Sequence, residues 1–453
     1  MIPEHIKQLM QKLIDNGFEA YIIGGANRDH YLDVEPKDYD IFTNATGEQI
    51  LNVFPRGHII GGEERQAKIL TVVVDGVEIS SYRANGKRTE TGLTLQQHLD
   101  TVDFSINAIA QDINGKIIDP HYGIADIARR RLTTVGNPND RFNEDGLRIF
   151  RGIRFVVKYN LKIDNEEPFI NFEQYVKDLP KERIREEFMK LLEIEGGMEM
   201  LDRYNMLEWI IPAWKDCKEL DGGPHHKEPV GKHMFLSLAA ARKLTNNPLI
   251  LLAAFLHDIG KYLSKGLKEE TSEITFYEHQ LIGAQYMRDW MKMMIYKEDD
   301  IRYVTTIIRN HMMGKIGDLR PSKFAKICDE LNISGVAPED MLVITYSDHC
   351  ANLALEPIKF NEFLKGNDFL KNYYELKYSR KGFNVNDLEI DGNAIIAVFG
   401  TGPIVGACKL ALFDMVHDGK VLNRRDRLIE AMLELKQQDN LRLKNEQNII
   451  KPK

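Results

Sequence analysis

Several protein classes are excluded by what the 453-residue sequence lacks. Its four cysteines lie far apart, with no CxxC pair, which argues against a disulfide framework or a zinc ribbon and predicts reduced thiols in a cytoplasmic protein. No apolar run approaches the roughly 18 residues of a membrane span, and the first residues lack the basic-then-apolar layout of a signal peptide. We therefore expect a globular protein without a membrane partner; the sequence leaves its oligomeric state open.

An overall positive charge is also absent, since 60 basic residues face 68 acidic ones and the net charge is −8. This argues against broad affinity for nucleic acid, but it says nothing about local patches. One stretch between residues 129 and 154 is rich in arginine: Arg129, Arg130, Arg131, Arg141, Arg148, Arg151 and Arg154. A polyanion could therefore be held in a restricted place.

The distribution of turns and apolar periodicity predicts an α+β protein. The first ~120 residues contain short apolar runs and two hairpin signals, Asp75-Gly76 and Asn114-Gly115, which indicate a small mixed sheet. After Arg131 helical periodicity dominates, with no convincing strand up to residue ~375. We predict a β-containing head followed by an all-α neck, body and tail, with these bounds: 1–135, 136–205, 206–375 and 376–453.

Two aspartates in the run Asp38-Tyr39-Asp40 form the most informative local pattern. The run predicts a strand over 38–43, in which residues i and i+2 share one face at a spacing of about 7 Å. Both carboxylates can then reach the same one or two divalent cations, and hard oxygen ligands suit Mg²⁺. Glu78, on the second arm of the hairpin, is the candidate third carboxylate. A solvated strand edge is the alternative interpretation of the same pattern.

A glycine pair, Gly24-Gly25, follows one predicted strand and precedes a predicted helix that carries Arg28. Glycines let backbone N–H groups approach an anion, and an arginine adds a planar cationic fork. An ordinary tight turn is the alternative. A strand, a glycine pair, a helix and then a strand with paired aspartates is the layout of a nucleotidyltransferase site, with glycines at the triphosphate and carboxylates on two metals.

Further blocks extend this pattern over the first ~200 residues. They are Gly24-Gly25-Ala26-Asn27-Arg28-Asp29, the segment 101–108 (TVDFSINA), the segment 119–126 (DPHYGIAD) and the segment 141–155 (RFNEDGLRIFRGIRF). With the paired aspartates, they resemble the GGxVRD, RRDFTINA, DPxGGxxDL and RFxEDPLRxLRAxRF blocks of the class II, bacterial-type CCA tRNA nucleotidyltransferases and the related poly(A) polymerases.

The resemblance implies a two-metal reaction in which Asp38, Asp40 and Glu78 are the catalytic carboxylates and the two aspartates bind Mg²⁺. The nucleotide contacts that it implies in the head are Gly24, Gly25, Arg28, Asp103 and Asn107, with Asp103 at the ribose hydroxyls. Two departures stand out. Val102 occupies a position where the family carries an arginine that contacts the nucleotide, and Asn27 replaces an apolar residue beside the glycines.

Charged residues of the neck recur at intervals of three, and this spacing predicts that Asp145, Arg148 and Arg151 share one face of a helix. A surface ladder of ion pairs is the alternative. The resemblance favours nucleotide binding, with Asp145 and Arg148 offering acceptor and donor edges to cytosine or adenine. Arg151 and Arg154 would contact the nucleotide or hold phosphates, and Arg183 is expected to brace the neck.

A set of histidines and aspartates marks the body. In chain order they are His233, His257, Asp258, His279, His311 and Asp348. A lone His-Asp pair at a helix end is usually structural, but this ordered set resembles the HD superfamily of metal-dependent phosphohydrolases. The resemblance implies a first metal on His233, His257, Asp258 and Asp348, with His279 and His311 available for a second. Imidazole ligands suit transition metals such as Ni²⁺ or Mn²⁺.

The tail contains Asp387-Leu388, Gly392, Gly402-Pro403 and Gly406. These residues resemble the tRNA-binding module of the same family. The sequence therefore predicts template-independent addition of C and A to the 3′ end of tRNA, from CTP and ATP, with an HD-type hydrolase as an additional activity. A poly(A) polymerase, or an enzyme that adds only A or only CC, is the alternative within the class; the lack of a long basic C-terminal extension disfavours poly(A) synthesis. An HD phosphohydrolase with an RNA-binding head is the rival from another class.

Overall fold

The computed structural model describes residues 2–60, 71–83, 91–223, 228–268, 273–312, 319–379, 382 and 384–449. The chain divides into two compact units, Met1–Ile210 and Ile211–Lys453. The first unit contains the predicted head and neck together with residues 206–210 of the predicted body, and the second contains the rest of the body and the tail. The finer division into four segments stays a prediction.

A seven-stranded sheet organises the start of the first unit. Its strands are β1 Tyr21–Ile23, β2 Ile41–Thr43, β3 His58–Ile60, β4 Thr71–Val74, β5 Val77–Ser81, β6 Ala110–Gln111 and β7 Ile117–Ile118. Their order is β3-β4-β5-β2-β1-β6-β7, and only β2 and β5 pair in parallel among the paired strands of this sheet. The β4–β5 hairpin turns at Asp75 and Gly76, which both have positive φ, as a two-residue type I′ turn requires.

Helices cover this sheet, and apolar side chains fill both of its faces. The helices are α1 Glu4–Asp15, α2 Gly25–Tyr31, α3 Gly47–Val53, α4 Leu95–Leu99 and α5 Gly123–Ala128. Because side chains alternate along a strand, Ile41 of β2 joins one buried cluster while its neighbour Phe42 packs against another. The mixed sheet with helices that the sequence predicts is confirmed.

The paired aspartates do not lie inside a strand, so the predicted strand over 38–43 is wrong in its first half. β2 begins at Ile41, and residues 38–40 precede it. The reason is that β1 ends at Ile23, where Gly24 turns the chain away. Beyond that turn the backbone of residues 38–40 keeps a single ladder-like bond, from the Ile23 N–H to the Asp40 carbonyl at 3.4 Å.

The rest of the first unit is helical, with one two-stranded pairing. Its elements are β8 Arg131–Leu132, α6 Pro138–Glu144, α7 Leu147–Tyr159, β9 Lys162–Ile163, α8 Glu167–Ile170, α9 Glu173–Val176, α10 Lys181–Leu192, α11 Gly197–Arg203 and α12 Met206–Ile210. β8 and β9 pair in parallel. Strands of two residues are too short for an alternating pattern, so the expectation of no strand after Arg131 is wrong here.

The second unit is also predominantly helical. Its elements are α13 Trp214–Cys217, α14 Val230–Arg242, α15 Pro248–Leu256, α16 Lys261–Ser264, β10 Lys265–Leu267, β11 Ile274–Phe276, α17 His279–Met293, α18 Glu298–Asn310, α19 Pro321–Ile333, α20 Pro338–Leu353, α21 Phe360–Lys365, α22 Asp368–Lys377, α23 Gly392–Phe399, α24 Pro403–His417 and α25 Arg425–Ile449. β10 and β11 form a second short ribbon that the sequence did not predict.

Length and hydropathy of the helices bear on membrane crossing. In the part of the chain that the structure describes, no single helix is long and apolar enough to span a bilayer. Among the same described residues, α23 and α24 taken together, bent by 117° between them, meet that test of length and composition.

Candidate functional site

The glycine pair turns the chain from β1 into α2, as predicted. Gly24 has φ of 90°, a left-handed value that suits glycine, and Gly25 is the first residue of α2. Asn27 holds this turn in place, because its Nδ2 donates to the Ile22 carbonyl at 2.9 Å and to the Ile109 carbonyl at 2.8 Å. The departure at position 27 therefore adds two buried hydrogen bonds that an apolar residue could not make.

Three carboxylates gather beside this turn. Asp40 directly precedes β2, and β2 runs parallel to β5 with Ile41 opposite Ile79. Asp40 and Glu78 each come one residue before these partners, so they lie side by side. Burial, followed by the charges of Glu78 and Asp38, raises the pKa of Asp40 to about 6. Mutual repulsion among oxygen donors is what a divalent cation relieves, and hard oxygen ligands are those that Mg²⁺ prefers. The donor set therefore fits the predicted metal.

Arg28 is a buried brace in this structure. Its guanidinium donates to the Asp29 carboxylate at 2.8 Å and to Asn107 Oδ1 at 2.7 Å. It also lies over the aromatic rings of Phe155 and Tyr159, 5.1 and 4.7 Å from their centroids. These partners belong to α2, to the segment near residue 107 and to α7. Arg28 thus joins the head to the neck, and a direct contact with triphosphate, as the sequence suggested, stays a prediction.

Tyr159→Phe should lower the free energy of unfolding of the protein by about 1.5–3 kcal/mol, a typical loss for a hydrogen bond to a charged group. The Tyr159 hydroxyl donates to Asp29 Oδ1 at 2.8 Å, and Asp29 is buried. Chemical denaturation measures the change. Tyr122→Phe removes the same hydroxyl from a side chain that is 75% exposed, and it should leave stability unchanged. Equal stability of the two variants would contradict the brace.

Asp103 and Arg151 form a second link between head and neck. Asp103 accepts from the Arg151 guanidinium at 2.7 Å and from Asn107 Nδ2 at 2.8 Å. Burial acts to raise the pKa of Asp103, but the Arg151 charge and these hydrogen bonds hold it below its usual value. Asp103 is therefore an ionised, oriented acceptor. Arg28, Asn107, Asp103 and Arg151 form one continuous chain of contacts, so the structure brings these four predicted residues together.

The predicted helix face carrying Asp145, Arg148 and Arg151 is wrong. Asp145 has an extended backbone between α6 and α7, and α7 begins only at Leu147. The side chain of Asp145 explains the break, because its Oδ1 accepts from the Leu147 N–H at 3.1 Å, as capping residues do. Its other oxygen pairs with Arg183 at 2.8 Å, so the expected bracing by Arg183 is confirmed. Arg148 and Arg151 do share α7.

The other two predicted neck arginines contact protein groups. Arg148 donates to the Thr101 carbonyl and to Glu144, both at 3.0 Å. The Thr101 carbonyl lies just beyond α4, so Arg148 connects the neck to the segment that precedes Asp103. Arg154 bonds Glu187 of α10 at 2.7 Å. Their predicted roles in nucleotide binding stay predictions.

Val102 sits at the edge of an apolar cluster. It is partly buried and packs against the cluster that contains Leu99 and Ala108, where Phe42 also packs. A valine is compatible with these neighbours, whereas it offers no charged contact to a nucleotide.

The second unit brings the six predicted body residues together, with four histidines around the carboxylate of Asp258. Asp258 Oδ2 lies 3.6 Å from His233 Nε2 and 3.4 Å from His257 Nε2. Asp258 Oδ1 lies 3.2 Å from His279 Nε2 and 3.8 Å from His311 Nε2. Asp348 completes the first group, with Oδ1 at 3.0 Å from His233 Nε2. Asp258 thus sits between two pairs of imidazoles.

Three of the imidazoles are fixed in the orientation that a ligand needs. The Nδ1 atoms of His257, His279 and His311 lie 2.7–2.9 Å from backbone carbonyls three residues earlier. Such a bond places a proton on Nδ1 and turns Nε2 inward, as in metal-bound histidines. Burial, with the charge of His257 next, lowers the pKa of His311 to about 3 and keeps it neutral. The charges of His257 and Lys261 hold the pKa of Asp258 well below its usual value, although burial opposes them.

These buried nitrogen and oxygen donors fit a divalent transition metal. Two overlapping groups, His233-His257-Asp348 and His257-Asp258-His311, each place all their ligand atoms within 4.8 Å of one another. The neighbouring carboxylates raise the pKa of His257 to about 10 despite the opposing effect of burial. Metal binding would therefore release a proton from His257 at neutral pH.

Sequence reasoning missed two contributions. Lys261 is 3% exposed and donates to Asp258 Oδ2 at 2.7 Å. A lysine three residues after the motif aspartate is the signal that could have found it. Phe155 and Tyr159, which hold Arg28, follow Arg151 at intervals of four and so share its helix face.

Comparisons with known proteins were made against family models and individual sequences. Three family models match: "Poly A polymerase head domain" over residues 20–133, "Probable RNA and SrmB- binding site of polymerase A" over 160–218, and "HD domain" over 230–336. A CCA-adding enzyme of Lactococcus lactis subsp. cremoris is 30% identical over 312 residues, which cover 65% of this chain and 75% of that enzyme.

The chain belongs to the family of CCA-adding enzymes and poly(A) polymerases. Another CCA-adding enzyme, of Lactococcus lactis subsp. lactis, is 38% identical over 41% of this chain and 50% of its own length. The Poly(A) polymerase I of Haemophilus influenzae is 31% identical over 54% of this chain and 60% of its own length. The matched region thus spans about half of these two relatives. The nucleotidyltransferase and HD models imply dependence on divalent metal.

Solved structures share the fold over nearly the whole chain. The Bacillus stearothermophilus CCA-adding enzyme in complex with CTP aligns with a TM-score of 0.64, at 23% identity, covering 98% of this chain and 100% of that one. The Thermotoga maritima CCA-adding enzyme complexed with tRNA aligns with a TM-score of 0.53, at 16% identity, covering 96% of each chain. The predicted α+β fold, a mixed-sheet head followed by helical segments, is confirmed.

Proposed function

We propose that this protein adds C and A nucleotides to the 3′ end of tRNA in the cytoplasm, taking CTP and ATP as substrates without a nucleic-acid template. The observation that carries the proposal is the gathering of Asp38, Asp40 and Glu78 beside the glycine turn, in a chain of this family. The named relatives and the solved complexes with CTP and tRNA support it.

In the proposed reaction the RNA 3′ oxygen forms a bond to the α-phosphorus, the bond from that phosphorus to the bridging oxygen breaks, and pyrophosphate leaves. The hydroxyl proton is released to solvent. Mg²⁺, when bound, supplies Lewis acidity that lowers the hydroxyl pKa and stabilises the leaving oxygens. Asp38 and Asp40 would hold it, and Glu78 would support them. Asp103 offers an ionised acceptor for ribose hydroxyls, held in place by Arg151 and Asn107.

The direct test is incubation of tRNA that lacks its 3′ end with labelled CTP and ATP, separately and together. Addition of C alone from CTP, and of A only after C, would support the proposal. Repeated addition of A would favour the poly(A) polymerase, since relatives of that name also match. Addition from only one nucleotide would indicate an A-only or a CC-only enzyme. No addition from either nucleotide would contradict the proposal.

Asp145→Ala or Arg148→Ala should reduce the discrimination between C and A before it abolishes turnover. Reading a base with buried hydrogen bonds leaves groups unpaired when the wrong base enters, at about 1–3 kcal/mol each, so selectivity should fall roughly tenfold or more. The ratio of kcat/KM for CTP and ATP on a defined primer measures the change. Arg129→Ala removes an exposed arginine of the same basic stretch as a control. If kcat/KM fell equally for CTP and ATP, the result would indicate that Asp145 and Arg148 have a structural role and do not read the base.

We also propose a metal-dependent phosphohydrolase site in the second unit. Its support is the convergence of four histidines on Asp258, with Asp348 beside them. His233, His257, Asp258 and Asp348 would hold a first metal, and His279 and His311 a second, with Ni²⁺ and Mn²⁺ as candidates. A bound metal of this kind supplies an activated water for attack on phosphorus. If nucleotide addition failed while hydrolysis was observed, the protein would be a phosphohydrolase with an RNA-binding head.

A further inference from the structure

A polar pocket of about 360 Å³ lies in the first unit, outside every site described above. It is formed where α6 meets α8 and α9. The side chains that give it its chemistry are Asn139, Asn143, Glu167, Asn171, Gln174 and Tyr175. Four carboxamides, a phenol and a carboxylate therefore face one small volume.

The lining selects against several classes of ligand. It contains no lysine or arginine, and Glu167 would repel an anion, so a phosphate group is disfavoured. The lining is too polar for a lipid. Carboxamides instead present a donor and an acceptor side by side, which matches the edge of a nucleobase, and a tyrosine ring offers a surface for stacking. An uncharged planar heteroaromatic ring is the ligand that this chemistry favours.

The position of the pocket points to RNA as the source of such a ring. Glu167, Asn171, Gln174 and Tyr175 lie in the segment 160–218, which matches the RNA-binding family model. Proteins that bind single-stranded RNA commonly take unpaired bases into pockets lined by aromatic and amide side chains.

The pocket also packs directly against the segment that contains Asp145, the predicted base-reading residue. Tyr175 contributes its hydroxyl to Asn139 Oδ1 at 2.5 Å, and its backbone oxygen packs directly on Gly146. A Cβ on Gly146 would lie 2.0 Å from that oxygen, so the contact has no room for adjustment. Gly146 follows Asp145 in the break between α6 and α7. A ligand that moves Tyr175 would therefore also shift the backbone at Gly146 and the adjacent Asp145.

We propose that this pocket binds one unpaired base of the RNA primer, with adenine as the best fit, and so helps to seat the primer end near Asp145. Asn and Gln pair best with the N6 and N7 atoms of adenine, which is why adenine is favoured. The inference rests on the proposed function only in taking RNA as the substrate, because base binding in the pocket does not require nucleotide transfer.

The test uses a variant that changes the charge of the pocket while nearly preserving its shape. Asn143→Asp with Gln174→Glu replaces two exposed carboxamides by carboxylates, which lose the donors. Gln8→Glu with Gln11→Glu places the same two charges on the exposed face of α1 and serves as the matched control. The probe is tRNA lacking its 3′ end, either intact or with a single abasic site at each of its last unpaired positions, and fluorescence anisotropy gives its Kd.

The pocket variant should bind intact primer about tenfold more weakly than wild type, the typical value of one stacked and paired base, while the control binds normally. An abasic site at one of these positions should weaken primer binding by wild type by a similar factor. The same abasic site should leave the Kd of the pocket variant unchanged. The same Kd for the pocket variant and the control would overturn the inference, even with normal nucleotide addition. A loss confined to the pocket variant would support it, even if wild type added no nucleotide.

Discussion

Asp40→Ala is expected to abolish nucleotide addition, with a loss of about 10³-fold or more. Asp40 is half-buried between Asp38 and Glu78. Burial, followed by the charges of these two carboxylates, raises the pKa of Asp40, and a bound cation would relieve both effects. Without its oxygen the remaining carboxylates cannot hold two metal ions close together, and metal ions contribute several kcal/mol to such reactions. Asp38→Ala should have an effect of the same size. Glu78→Gln should be milder, because Glu78 is exposed on β5.

The measurement is the initial rate of labelled CTP incorporation at saturating primer, together with the Kd for tRNA. Binding of tRNA should change little, since the residues proposed to hold RNA lie elsewhere in the chain. Asp15→Ala removes an exposed carboxylate of α1 and is the control. Full activity of Asp40→Ala would remove the metal assignment of the head, and a large loss of tRNA affinity would instead indicate a disturbed fold.

Much of the head could be predicted because its signals are local. A glycine with positive φ, an Asp-Gly turn and alternating apolar residues each specify backbone geometry within a few residues. The error at Asp38 and Asp40 arose because a strand ends where its partner ends. Gly24, which is 14 residues earlier in the sequence than Asp38 (38 − 24), turns the chain away after β1 ends at Ile23.

Side-chain partners across long sequence separations could not be predicted in this way. The sequence presents Arg28 as a phosphate-binding fork, a role that stays a prediction, but it does not indicate that the guanidinium contacts Asn107, which is 79 residues away. Periodicity alone also treated Asp145 as a member of a continuous helix. Its carboxylate instead accepts from the Leu147 N–H at the start of α7, because short polar side chains compete with helix formation by bonding nearby N–H groups.

The histidine cluster shows the opposite case, in which separated residues were grouped correctly from their order. The six positions span His233 to Asp348 and come from five helical segments. The structure places the four histidines around Asp258, with Asp348 beside His233. The family resemblance predicted that grouping, because the spacing of residues in the sequence does not predict that α14 contacts α20. Lys261 follows Asp258 by three residues, which is a signal for their ion pair, but the burial of its ammonium depends on the whole surrounding fold.

The two proposed activities should be separable by variants in the two units. His257→Ala with Asp258→Ala should remove metal-dependent hydrolysis of a phosphomonoester or a 2′,3′-cyclic nucleotide, because both overlapping ligand groups lose members. Nucleotide addition should be retained, because its carboxylates belong to the first unit. Asp40→Ala should show the reverse. Each protein is assayed for both activities with Ni²⁺, Mn²⁺ and Mg²⁺ supplied in turn.

His349 provides a matched control, because it lies on α20 next to Asp348 of the histidine–aspartate cluster. His349 follows Asp348 on α20 but is exposed, so His349→Ala should keep both activities and the wild-type metal content. Metal content after dialysis, measured by mass spectrometry, gives a readout independent of turnover: wild type and His349→Ala should retain a transition metal, and the double variant should lose it. If wild type retains no metal and hydrolyses neither substrate, the cluster is structural. In that case the convergence on Asp258 serves stability, and the double variant should then unfold more easily than His349→Ala.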